Sequence, residues 1–94
     1  MIEDIGGVNL KKYKLIWDEY NISHIAKHGL KVKEVEEAVN DKKRLVRKFR
    51  KRYMILGSAW GRIIVVILEK VRDGYYVVTA RDVTTSEKRL YKRR

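Results

Sequence analysis

Three runs rich in Val, Ile and Tyr follow one another in the second half of the chain: YMILGS (Tyr53 to Ser58), RIIVVILEKV (Arg62 to Val71) and YYVVTARDV (Tyr75 to Val83). Only AWG and RDG separate them, breaks of the length and composition that close hairpins between β-branched and aromatic segments. The runs therefore predict a three-stranded antiparallel meander. Its middle run is continuously apolar rather than alternating, the mark of a strand covered on both faces, with helices packed on at least one of them.

The segments before and after the meander supply those helices. YKLIWD (Tyr13 to Asp18) reads as a short first strand. Asn21 then offers a side-chain oxygen to free backbone amides, Ile22, Ile25 and Ala26 form an apolar stripe, and Gly29 supplies a left-handed stop, which predicts a helix of barely two turns. In VKEVEEAVN the apolar positions Val32, Val35, Ala38 and Val39 recur at helical spacing, and Asn40 or Asp41 ends this second helix. Thr84 and Glu87 stand at capping-box spacing before Leu90 and Tyr91, which predicts a C-terminal helix from about Thr85. The order is strand, helix, helix, three strands, helix, an α+β layer rather than a doubly wound sheet.

At 94 residues the chain is expected to form one domain over 1–94, with a core from about 13 to 91 and peripheral residues at 1–12 and 92–94. The absence of cysteine removes disulfides, thiolate zinc sites and a cysteine nucleophile. MIEDIGGVNL has neither the basic nor the apolar region of a secretory leader, and the run Ile63 to Leu68 is far too short to span a bilayer. A cytoplasmic location without membrane contact is the expectation. The formal charge of +11 is concentrated: of the eleven residues from Lys42 to Arg52, eight are basic. Such a block is either a solvated surface or a stripe that binds a polyanion, and nucleic acid is the leading partner. Lys42, Lys43, Arg44, Arg47, Lys48, Arg50, Lys51 and Arg52 are its candidate contacts, with His24 in support.

His24 and His28 lie four residues apart on one helix face, the spacing at which two imidazoles share a metal ion. Ile25 stands where a zinc-protease helix needs glutamate, and no third ligand lies nearby, so no metal is expected; a polar helix face and an acid, base or phosphate partner beside Lys27 stay open. Arg81 and Asp82 end the last predicted strand. They fit a structural ion pair or helix cap, or a guanidinium projected onto the sheet face to hold phosphate. Arg62 opens the central strand, and could add a second cation or simply be solvated. Glu87 and Tyr91 share one helix face; the ring is expected to pack on the sheet, and can also stack on a base. Trp17 reads as core and Trp60, in AWG, as exposed. Phosphate-binding glycine loops, nucleophile elbows and dinucleotide fingerprints are absent from the sequence, which removes most small-molecule enzyme classes.

Taken in order, WDEYNISHIAKHGL, VKEVEEAV, YMILGSAWGRIIVVILE, YYVVTARDVT and SEKRLY resemble the BrnT family of toxins, within the wider RelE/ParE superfamily of type II toxin–antitoxin systems. The likeness runs from about Trp17 to Tyr91 and rests most on WD, KHG, the GR of the central strand, the AR of Ala80 and Arg81, and the Glu87 and Tyr91 pair. It implies a RelE-like fold, a metal-independent endoribonuclease that cleaves mRNA and arrests translation without a cofactor, and a cognate acidic or DNA-binding antitoxin, with a dimer or toxin–antitoxin hetero-oligomer as the assembly. It also implies an active surface of Lys27, His28, Arg62, Arg81, Glu87 and Tyr91. His24 departs from the family pattern, where asparagine is common, and the basic block is richer in charge than the pattern. The alternative is a basic module of the same fold that binds nucleic acid without cleaving it.

Overall fold

In a computed structural model, residues 12–93 are described. The expected peripheral character of residues 1–11 and 94 lies outside the described residues. The elements are β1 (Leu15–Ile16), α1 (Glu19–Ala26), α2 (Val32–Val39), β2 (Leu45–Phe49), β3 (Arg52–Ala59), β4 (Arg62–Val71), β5 (Gly74–Asp82) and α3 (Thr85–Lys92). This is a mixed α+β fold with three helices and a five-stranded sheet of order β1-β5-β4-β3-β2. Strands β3, β4 and β5 form the expected meander, and β1 joins it in parallel through Leu15 opposite Tyr75 and Ile16 opposite Tyr76.

Two expectations need correction. The basic block is not simply a charged surface segment: Leu45 to Phe49 form a fifth strand, antiparallel to β3, with Leu45 and Val46 buried. Arg44, only 4% exposed, lies with its guanidinium carbon 5.7 Å from the centre of the Tyr13 ring and donates to Asp41 O at 3.3 Å. The first helix is capped by Asp18 rather than Asn21. Asn21 is the third helical residue. Its backbone amide donates to Asp18 Oδ1 and its Oδ1 receives the Asp18 amide, both at 2.9 Å, a reciprocal capping box. Thr84 and Glu87 make the expected box at α3.

The continuous run in β4 serves two cores. Ile64, Val66 and Leu68 meet Ile25, Val35, Ala38 and Val39 of α1 and α2 on one face. On the other, Val65 joins Leu45 and Leu56 under Leu90 and Tyr91 of α3. The sheet is thus sandwiched, but unevenly, because α3 has no fully buried residue. On the opposite side α2 approaches β3 closely at Gly57, where a Cβ would lie 2.0 Å from the carbonyl oxygen of Ala38. Glycine is required there by contact between backbones.

Candidate active site

The first turn after α1 places KHG beside the start of β4. Gly29 takes a positive φ of 73°, the left-handed stop expected of it, and leaves Lys27 and His28 exposed at the helix end. Gly29 O accepts from Arg62 Nη1 at 3.4 Å. The same guanidinium reaches Glu34 Oε2 at 3.3 Å and Asp82 Oδ1 at 2.8 Å. Arg62 therefore joins α1, α2, β4 and β5 at one corner of the sheet.

Electrostatics follow from that corner. The hydrogen bond from Arg62 holds the Asp82 carboxyl below the usual aspartate range, and the nearby charge of His28 lowers it further. In return Asp82, with Glu34, raises the Arg62 guanidinium. Asp82 does not pair with the Arg81 side chain; only its backbone carbonyl accepts from Arg81 Nη1, at 3.0 Å.

Arg81 sits opposite Val65, on the α3 side of the sheet. Its two terminal nitrogens meet both carboxylate oxygens of Glu87 at 2.9 Å, the bidentate fork geometry in which planar guanidinium and carboxylate match. Glu87 also accepts from the Thr84 amide at 2.8 Å. These donors, Arg81 foremost, lower the Glu87 pKa from 4.5 to about 2. One carboxylate thus caps α3 and orients the last cation of β5.

A cleft of about 660 Å³ lies along this edge, lined among others by Arg62, Asp82, Thr84, Lys88, Tyr91 and Lys92. Tyr91 packs its ring on the α3-side core, as expected, and its hydroxyl donates to Asp41, whose carboxylate also accepts from the Ser58 amide. Trp60 stands at the neighbouring β3–β4 turn, 60% exposed and with a φ of 52°, in the left-handed region that a bulky residue seldom occupies. Trp17 is half-buried against the core and donates its indole N–H to Glu36 at 2.9 Å.

The fold thus gathers Arg62, Asp82, Arg81, Glu87 and Tyr91 along one edge, with His28 beside the Arg62 corner, whereas Lys27 lines a separate hollow with Glu19, Tyr20, Ser23 and His24. His24 lies one helical turn before His28, its Nε2 3.1 Å from Thr79 Oγ1 and its ring edge-on to that of His28 at 5.6 Å. Among the described residues no group of three or more His, Cys, Asp or Glu could hold a metal ion.

The basic block divides. Lys42 and Lys43 lie at the Asp41 loop near the cleft, whereas Lys48, Arg50, Lys51 and Arg52 lie at the β2–β3 turn, opposite the far end of β4. Buried Arg44 is not a surface contact, and Arg47 is half-buried between the two groups. Sequence reasoning weighed Asp82 only as a structural partner of its neighbour and passed over Glu34 and Lys88. The signal for Asp82 was its place one residue after Arg81, which turns its side chain to the opposite face of β5.

Among the described residues no helix is long and apolar enough to cross a membrane. A family model described as a ribonuclease toxin, BrnT, of type II toxin–antitoxin systems matches residues 17–87. No curated protein and no solved structure matches the chain.

Proposed function

The chain belongs to the BrnT family of ribonuclease toxins of type II toxin–antitoxin systems, and from that premise we propose that the edge from His28 to Tyr91 is its RNA-cleaving surface. The observation that carries this reading is the convergence on one corner of residues far apart in sequence: the KHG turn, Arg62, and the Arg81–Asp82 strand end with α3 behind it. The α+β arrangement fits a place in the wider RelE/ParE superfamily.

The chemistry needs a base, an acid and positive charge. The ribose 2′-hydroxyl attacks the adjacent phosphorus, His28 takes its proton, and the P–O5′ bond breaks as the imidazolium so formed returns a proton to the leaving oxygen. The products are a 2′,3′-cyclic phosphate and a free 5′-hydroxyl. Lys27 and Arg81 offset the charge that grows on the phosphate oxygens, where donors already in place are most effective. Glu87 holds the Arg81 fork in plane, and Arg62 positions the KHG turn from below. Lys88, Lys92, Lys42 and Lys43 hold the RNA backbone, and Tyr91 or the exposed Trp60 ring stacks on a base. The family's activity favours this over a module that only binds.

The test is cleavage of end-labelled RNA in excess chelator, read by gel and by chemical identification of the termini. His28→Ala is expected to lower the rate by about 10²- to 10⁴-fold with RNA affinity little changed. Arg81→Ala is expected to lower the rate by more than it lowers affinity. Wild-type rates in both variants, or cleavage that requires added metal, would overturn the assignment.

A further inference from the structure

At the end of the sheet away from that corner, α3 leaves part of its face uncovered. Directly opposed residues of an antiparallel pair share a face, so the registers Phe49–Arg52, Arg47–Met54 and Met54–Ile67 place Phe49, Met54 and Ile67 together on the α3 side. They line a hollow of about 810 Å³. Phe49 is 55% exposed there, where most large apolar side chains of this fold are buried. The rim is cationic. Arg50 and Lys51 form the turn, Arg52 follows, and Glu69, paired with Arg52 at 3.2 Å, is the one acid among the residues lining the hollow. Beside the floor, Arg47 keeps its Nε shielded without a hydrogen-bond partner.

We propose that this hollow is the docking surface for the antitoxin, specifically for an extended or helical segment that carries an apolar anchor flanked by acidic side chains. The inference rests on the toxin–antitoxin reading but not on the catalytic assignment. Three observations select this occupant. Charge complementarity requires an acidic partner for a rim of three cations against one acid. The aliphatic floor of Met54 and Ile67 has no use for a phosphate, whereas an exposed aromatic ring in an apolar setting is the usual anchor of a protein interface. The hollow also stands apart from the cleavage corner: Glu69 is seven residue steps along β4 from Arg62, about 23 Å at the rise of an extended strand. RNA aligned on the corner has no need of it.

The experiment co-expresses and purifies the full chain with the product of the reading frame adjacent to its gene, and measures their affinity by calorimetry at two salt concentrations, beside RNA cleavage and the toxin's mass in solution. Phe49→Asp, with Phe49→Ala as the milder control, is expected to keep its circular dichroism and its RNA cleavage within about twofold of wild type. Its affinity for that product should fall at least tenfold, and Arg52→Glu should flatten the salt dependence. Unchanged affinity in Phe49→Asp would overturn the proposal. So would a variant that loses RNA binding while keeping its partner, which marks an RNA surface, or one that turns a dimer into a monomer while keeping its partner, which marks a face between two copies. Should wild type fail to cleave RNA while Phe49→Asp still loses the partner, the catalytic reading fails and the docking surface stands.

Discussion

Asn21 does more for this fold than the helix start it was expected to cap. Buried at the junction of three elements, it donates from Nδ2 to the carbonyls of Ile16 and Val77 at 3.0 and 3.1 Å, and closes the Asp18 box with its oxygen. Removing that amide takes one donor from each of the Ile16 and Val77 carbonyls and opens the Asp18 box, so Asn21→Ala is expected to lower unfolding free energy by about 2 kcal/mol in urea titration. A loss under about 0.5 kcal/mol, typical of surface positions, would show that water replaces the amide. Asp18 and Asn21 are both good caps three residues apart, and only the tertiary partners of Asn21 decide between them. Sequence located the helix to within a turn and could not see the carbonyls that bury its asparagine.

At the scale of the element, α3 is held by polar contacts more than by depth. Its capping carboxylate, Glu87, is shared with Arg81, and the depressed pKa of about 2 fixes the sign of its pH dependence. The contribution is complete above the ordinary glutamate pKa of 4.5 and disappears as pH falls through about 2. Because the Arg81 side chain is 40% exposed, solvent screens the pair, and Glu87→Gln is expected to cost about 1 kcal/mol near neutral pH. Between pH 4.5 and 2 the wild-type stability curve should fall more steeply than that of the variant. Parallel curves in thermal melts across that range would show the pair to be inert. The element missed in sequence was β2. Alternation is hidden there because Arg47, half-buried between Leu45 and Phe49 on one face of the strand, takes a position expected of an apolar residue.

For the molecule as a whole, the spacing between layers is set by backbone contact. With a Cβ at Gly57 only 2.0 Å from Ala38 O and 2.7 Å from the Ala38 carbonyl carbon, α2 would have to lift from the sheet. Gly57→Ala is expected to destabilise by about 3 kcal/mol in urea unfolding, and Ala38→Gly should not rescue it, because the clash is with main chain. Rescue would place the strain in the side chain instead. The meander, the two-faced central strand and the helix order were legible from hydrophobic pattern alone. The corner was legible only as separate fragments, since pattern gives the face a residue takes on its own element and not which distant acid it meets: Arg62 finds Glu34 and Asp82, while Arg81 turns away to Glu87.

Chain order gives the β2–β3 turn a further meaning. A ribosome releases residues 45–67 before 81–91, so the strands holding Phe49, Met54 and Ile67 leave it while Arg81, Glu87 and Tyr91 are still enclosed in its exit tunnel. On the proposed docking, a partner can therefore meet this face as the toxin leaves the ribosome, before the cleavage corner has assembled.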